Sequence, residues 1–486
     1  MTAPATATDE RRFATERDPR LRLLIPMIVA IAFLMEQLDS TIITTAIPDM
    51  AKSLATTPVR MNLAVTAYVL TLAVFIPVSG WFADRFGARR IFVLALALFT
   101  LGSALCGAAD NFAMLVATRA LQGLGGAMMT PVGRLILLRS FPRREFVTAM
   151  TYMTLPAIVG PVIGPLLGGL ITTYASWRWI FYVNLPFGIA GVLLAMRFVE
   201  DVREAGLARF DIVGFLMVGC GVALLQFGME SIGRPVVSVA GIAGMLGAAA
   251  VLLVAYGAYA RRVAAPAVDL GLFRLRSFAV GTLAGGVCRV AMNAPPFLLP
   301  LMLQVGFGMS PVMSGSLTFV SSLGALLVRT VAQRLLRRFG FDRVLAGSAV
   351  AGTVVLAGFA LLKPQTPHWL IAGYVFIFGL VRSTQFMTSN TLSYADMPAE
   401  RLSRATSLGG VLQQLTVSFG VSLGAMLLGL VSSGDHVLSP QRFHEVFLLI
   451  AVLPLVAVPG FLHLRPEDGV QVSGHRRDGR GRAGGI

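Results

Sequence analysis

The chain has 486 residues, of which 56% are hydrophobic and only 13% charged, against about 25% charged in soluble globular proteins. That balance excludes a soluble enzyme or binding module and predicts a polytopic membrane protein, since one spanning helix takes about 20 apolar residues. The net charge of +16 is carried by arginines in short loops between apolar runs, a positive-inside pattern and not a nucleic-acid surface.

In chain order, the segment 1–22 mixes acids with arginines and shows no small-residue cleavage pattern behind the first apolar run. It reads as a cytoplasmic tail and not a signal peptide. Fourteen apolar runs follow, at 23–47, 60–81, 90–108, 112–133, 147–173, 179–198, 211–229, 236–258, 277–303, 311–335, 343–362, 367–390, 404–431 and 443–464. The expected fold class is an all-α membrane protein with 14 transmembrane helices. Thirty of the 40 Lys and Arg fall in the two tails and in the loops of one side. Six fall on the other side (Lys52, Arg60, Arg178, Arg234, Lys363 and Arg442), and Arg119, Arg289, Arg329 and Arg382 remain inside spans. This asymmetry puts both termini in the cytoplasm. The Gly- and Arg-rich segment 465–486 is expected to be a disordered cytoplasmic tail.

Span 1 carries Glu36 and Asp39 where its flanks predict lipid. A charge at mid-bilayer costs about 2.5–3.5 kcal/mol even on a lenient insertion scale, so such residues persist when paired or functional. The two are three residues apart and share roughly one helix face. Arg119 in span 4 and Asp39 both lie roughly 10–12 Å below the outer edge by helical rise, so they are expected to pair. Glu36 has no evident partner in the sequence, which on local chemistry makes it the better proton carrier.

The loop after span 2, Gly80-Trp81-Phe82-Ala83-Asp84-Arg85-Phe86-Gly87-Ala88-Arg89-Arg90, has a weak echo after span 10, Arg337-Arg338-Phe339-Gly340-Phe341-Asp342-Arg343. Aligned on Phe-Gly, the two are 253 residues apart. That pairs spans 1–6 with spans 9–14 as two pseudo-symmetric six-helix bundles, 23–198 and 277–464, and leaves 199–276 as two inserted helices with linkers. Halves related along the membrane normal are a transporter architecture, with the substrate site between them near the midplane. Gly80 is expected to permit a close helix approach and Gly87 a tight turn. In span 4, Gly123, Gly125 and Gly126 follow no strand and lie in the membrane, so they are not a nucleotide loop. In span 5, Gly160, Gly164 and Gly168 recur every four residues as one smooth packing face, and Pro161 and Pro165 lack donors and bend the helix.

These motifs resemble those of the major facilitator superfamily. The loop 80–90 is similar to its G-x-x-x-D-R-x-G-R-R/K, with Ala88 where Arg is common. The doubled Gly-Pro of span 5 resembles the motif that marks drug:proton antiporters within the superfamily. Leu38-Asp39-Ser40-Thr41-Ile42-Ile43-Thr44-Thr45-Ala46-Ile47-Pro48 is similar to L-D-x-T-I-V-N-x-A-L-P, with Thr44 replacing the usual Asn. The aromatic stretch from Trp177 through Asn184 to Gly188 resembles the start of span 6. With fourteen spans, these features resemble the EmrB/QacA-type drug:proton antiporter family. Leu301 to Gly308 and Ser383-Thr384-Gln385-Phe386 resemble its MdtD-type branch. The resemblance implies the major facilitator fold and a conformational latch at Gly80, Asp84, Arg85, Gly87, Arg89 and Arg90. Asp84 would sit near the start of span 13, around 401–407, where a helix dipole favours an anion. It implies an antiporter motif at Gly160, Pro161, Gly164, Pro165, Gly168 and Gly169. It also places Asp39, with Arg119, in proton coupling, so the choice between Glu36 and Asp39 stays open.

Candidates for the substrate cavity are Gln37, Gln122, Arg289, Asn293, Gln304, Arg382 and Gln385. Span 9, with Pro295, Pro296 and Pro300, is expected to be broken or kinked and to line that cavity. Conceivable partners of Arg382 are Gln385, Asn390 and Glu230, and Arg329 either snorkels or functions. No G-x-x-x-x-G-K-[ST] loop occurs, which argues against ATP-driven pumping. Cys106, Cys220 and Cys288 lie apart in apolar runs and the five histidines lie in loops, span ends or the tail, so no metal or cofactor is expected.

The expected function is a secondary transporter of the bacterial inner membrane that exports small organic molecules in exchange for protons, a multidrug efflux activity linked to antibiotic resistance. Its partners would be a small-molecule substrate, protons and the bilayer. One alternative keeps the fold and exports an organic anion such as a di- or tricarboxylate, motivated by Arg289 and Arg382. Another is a membrane sensor without transport. No nucleophile–base constellation points to an enzyme.

Overall fold

Five of the long helices start, among the described residues, where the sequence supplies a cap. Thr57, Asn111, Asp211, Ser238 and Ser310 each accept a hydrogen bond from a first-turn backbone N–H, satisfying a donor that hydrocarbon cannot. The computed structural model describes residues 20–141, 143–201, 210–232, 237–263, 266–432, 438–465 and 467–470. Its long helices are α1 (Leu21–Thr45), α2 (Pro58–Phe86), α3 (Ala88–Gly107), α4 (Phe112–Ser140), α5 (Arg143–Tyr174), α6 (Trp179–Phe198), α7 (Ile212–Ser231), α8 (Val239–Ala260), α9 (Arg276–Gly306), α10 (Pro311–Gly358), α11 (His368–Ala395), α12 (Ala399–Val431) and α13 (Pro440–Leu462).

Among the described residues, 12 helices are long and apolar enough to cross a membrane. Both arms of α10, Pro311–Val328 and Arg334–Leu361, are among them. The helix α4 is not, although it runs for 29 residues, and the part of α5 whose side chains are described without a break, Val159–Tyr174, is apolar but shorter. Arg119, Arg134 and Arg139 lower the hydropathy of α4.

Early helices pack together: α1 on α5 and α6, and α4 on α2 and α3. Late helices do the same, with α10 on α11 and α13, and α9 on α12. Two seams join the groups, α5 on α10 and α2 on α12. The helix α7 lies against α2 and α12 at once. It sets Phe215 edge-on to Phe75 with ring centroids 5.8 Å apart, and its Gln226 donates to Ser422 of α12.

The echo between the two basic loops is a backbone fact. Gly87 has φ 102° and Gly340 has φ 77°, and at each a helix ends and another begins. A Cβ on Gly87 would also meet the Asp201 carboxylate, which takes a salt bridge from Arg90 at 3.2 Å. Gly87→Ala and Gly340→Ala should each cost roughly 1–2 kcal/mol, read as lowered unfolding midpoints of the purified protein. Unchanged midpoints would mean the turns relax to φ < 0.

Two expectations are corrected. A Cβ on Gly80 would find open space, so the close approach expected there is not made. Of the tail, expected to be disordered from 465, residues 467–470 are seated: the N–H of Gly469 donates to the Asp396 carboxylate at 3.1 Å, and Gly469 lies against Phe341.

Candidate functional site: a buried ion pair and an arginine pair

Asp39 sits on α1 and is 1% exposed; Arg119 sits on α4 and is 0% exposed. Arg119 Nη1 donates to Asp39 Oδ2 at 2.6 Å and to Gln122 Oε1 at 2.7 Å. Gln122 Nε2 donates to Asp39 Oδ1 at 2.8 Å, and Asn184 Nδ2 approaches the same oxygen at 3.4 Å. Arg119 Nε donates to the Ala64 carbonyl at 3.2 Å, and the guanidinium lies 4.2 Å from the Tyr68 ring centroid. Asn184 is held in turn by Ser103 at 3.1 Å. Helices α1, α2, α3, α4 and α6 all send a group to this point. A charge-assisted network of this density holds its helices together.

Glu36, one helical turn away and 7% exposed, accepts a hydrogen bond from the Thr130 hydroxyl of α4. The expectation that it lacked a partner is corrected: a Thr eleven positions beyond Arg119 carries no charge to flag it in the sequence. Arg134, counted among loop residues, lies inside α4, with its guanidinium 5.7 Å from the Phe33 ring and within electrostatic reach of Glu36.

The glycine face of span 5 packs on span 1. A Cβ on Gly160 would lie 2.9 Å from Gln37 Cβ, one on Gly164 would lie 3.0 Å from Thr41 Cβ, and one on Gly168 would strike the Ile42 carbonyl. Gly169 faces the other way, with its Cβ position 3.0 Å from Val312 Cα of α10. The prolines gain a specific role here. Pro165 has no N–H to give the Pro161 carbonyl, and that carbonyl instead accepts from Ser322 of α10 at 3.0 Å. The motif therefore offers a bare carbonyl across the seam between early and late helices.

In the loop 80–90, Asp84 accepts from Arg139 of α4 at 2.5 Å. Its expected neighbours at the start of span 13 include residues 402–404 and 407, whose side chains lie outside the described residues. Arg85 is exposed, Arg89 half-buried, and Arg90 holds Asp201.

The cavity candidates separate. Gln122 belongs to the Asp39 site and not to the cavity. Gln385 is fully buried and accepts from Ser348 of α10. Gln304 donates to the Thr45 carbonyl at 3.0 Å and ties α9 to α1. Gln37 is half-buried against Gly160. Arg289, Asn293 and Arg382 do come together: Arg382 Nη2 donates to Asn293 Oδ1 at 3.1 Å, and both guanidiniums face the Phe386 ring. Asn293 and Phe386, not Gln385 or Asn390, are the partners of Arg382 that the described residues supply. The side chains of Arg329 and Glu230 lie outside them. The helix α9 is broken as expected, with π-turns at Val280–Ala284 and Met302–Gly306 around Pro295–Leu301.

The sequence profile of the Major Facilitator Superfamily matches residues 29–421. The chain belongs to the major facilitator superfamily. Its members are membrane transporters and not enzymes. A protein of Pectobacterium atrosepticum with the provisional name multidrug resistance protein MdtD is 38% identical over 92% of this chain and 96% of its own length. Its namesake in Cronobacter sakazakii is 39% identical over 91% of this chain and 94% of its own. Among solved structures, a mutant of the nucleoside transporter NupG superposes with TM-score 0.64 at 14% identity, covering 91% of this chain and 99% of that one. A bacterial homologue of the human lysosomal transporter Spinster, in an inward-facing, unoccupied conformation, gives 0.62 at 15% identity over 91% and 96%. At these identities the structures establish the fold of this carrier.

Proposed function

We propose that this carrier exports small organic molecules from the bacterial cytoplasm by proton-coupled alternating access, with multidrug efflux as its activity and the inner membrane as its location. The observation that carries the reading is the pair of acids on α1 with unequal partners. Asp39 is held by Arg119 and Gln122, whereas Glu36 is held by one neutral hydroxyl. The multidrug-resistance names of the relatives support the substrate range.

In this reading α4 and α5 also span, giving fourteen spans. The paired glycine turns at Gly87 and Gly340 support two six-helix halves, 23–198 and 277–464, with 199–276 inserted and both tails cytoplasmic. Glu36 carries the proton. Ionised, it accepts from Thr130; protonated, it becomes a donor and the hydroxyl must turn, which loosens one tie between α1 and α4. Asp39 and Arg119 hold those helices in register meanwhile. Coupling requires that protonation and substrate favour different states of the seam between the halves. The loop 80–90 acts as the latch, and the span-5 motif forms part of that seam.

Glu36→Gln in proteoliposomes should abolish accumulation driven by an imposed pH gradient while leaving equilibrative exchange of a transported drug. Asp39→Asn should reduce both, because it removes the anion that holds Arg119. Gradient-driven accumulation by Glu36→Gln at the wild-type rate would remove Glu36 from the mechanism.

A further inference from the structure

The helices α9 and α11 run antiparallel in a register that their small residues fix. Ser389 Oγ donates to the Gly281 carbonyl at 2.6 Å, and Gly285 packs against the same serine. Further along, Arg382 Nη2 donates to Asn293 Oδ1 at 3.1 Å. Arg289 falls between these contacts. Its guanidinium lies 5.8 Å from the Phe386 ring centroid, and that of Arg382 lies 5.1 Å from it. Both arginines are 13 residues from the same end of their helices, Arg276 for one and Ala395 for the other, which puts them near mid-membrane.

Every group here is a donor without enough acceptors. Arg289 is 5% exposed and makes no hydrogen bond or ion pair among the described residues. The Nε of Arg382 and the Nδ2 of Asn293 are buried with no partner. Gln385, which could have supplied an acceptor, is engaged by Ser348. The acids of α1 are engaged by Arg119, Gln122 and Thr130. Cations at this depth persist when something pairs with them or when they line a path, and orphaned buried donors call for an acceptor.

We propose that Arg289, Arg382 and the Asn293 amide form a binding site for the carboxylate of a small organic anion, whose apolar body lies along Phe386. The site deepens the transport reading above and rests on it for the direction of movement. Two guanidinium forks match a carboxylate in a way that a single point charge does not. The ring between them fixes their planes by cation–π contact and offers apolar surface to the rest of the molecule. The same charges repel a cationic dye, so the substrate class is anionic.

The test is equilibrium binding to the purified full chain in detergent, with salicylate and succinate as anionic probes and ethidium as the cationic one. At least one anion should bind and raise the unfolding midpoint, and ethidium should not. Arg289→Gln and Arg382→Gln should each weaken anion binding roughly tenfold or more. Arg289→Lys and Arg382→Lys keep the charge and lose the fork, so they should fall between; they also serve if a Gln variant does not fold. Binding of ethidium without either anion, or anion binding by the Gln and Lys variants as tight as wild type, would overturn the site. Binding is read without a gradient. Lost proton-driven flux with intact anion binding therefore counts against the coupling reading alone, and proton-driven export of ethidium without anion binding counts against this site alone.

Discussion

Arg119→Ala should destabilise this carrier by about 3–5 kcal/mol. The substitution leaves Asp39, 1% exposed, as a buried anion with only Gln122 and Asn184 for company. It also empties the space over Tyr68 and frees the Ala64 carbonyl. The loss should appear as a lower unfolding midpoint and a shorter lifetime in detergent. Arg119→Met combined with Asp39→Leu should recover part of it, because removing both charges also removes their desolvation cost. If the single variant unfolds at the wild-type temperature, the network is not what ties α1, α2, α3, α4 and α6 together.

The second large effect is expected at the span-5 glycines. Gly164→Leu would drive a side chain into Thr41, where even a Cβ lies 3.0 Å from Thr41 Cβ. Overpacking costs about 1–3 kcal/mol where neighbours can shift, and here the neighbour is the helix that carries Glu36 and Asp39. Both stability and gradient-driven export should fall. Gly169→Leu should act differently, because Gly169 faces Val312 of α10. It should impair transport while leaving the α1–α5 contact intact. Wild-type export by Gly164→Leu would show that α1 and α5 need not pack this closely.

Particular residues show where reading the chain succeeded and where it stopped. Asp39 and Arg119 could be paired from the sequence because both are charged, both lie in apolar runs, and helical rise gives each a depth. The span-5 glycine ladder was legible because packing faces repeat at helical spacing. Thr130 was not, since a hydroxyl in a membrane helix is commonplace and nothing local marks it as the partner of Glu36. The apolar run of span 4 ends at 133, yet α4 continues to Ser140 and takes Arg134 with it. Gln122 and Gln385 were polar and at the right depth for a cavity, but depth does not give direction around a helix axis, and both point into the protein. Nothing local in the aromatic stretch 177–188 points Asn184 at Asp39, which it reaches because α6 packs on α1.

The sequence by itself determined that this protein lives in a membrane, that its Lys and Arg gather in the tails and the short loops between apolar runs, and that its first helix carries two acids in need of an explanation. Composition, hydropathy and charge position are properties of the chain, and the cost of placing a charge in hydrocarbon does not depend on topology. It also showed the two Phe-Gly turns, where Gly87 and Gly340 each sit at positive φ. Only the tertiary structure decided what each buried polar group meets. That choice turns on the rotation of each helix about its own axis and on which helices are neighbours. It gave Asp39 a full set of donors, gave Glu36 a single hydroxyl, offered the Pro161 carbonyl to Ser322, and left Arg289 and Arg382 facing one phenylalanine ring. Hydrophobic patterning fixes which face of a helix is apolar, but partners hundreds of residues apart are chosen by packing, and packing is a property of the assembled bundle.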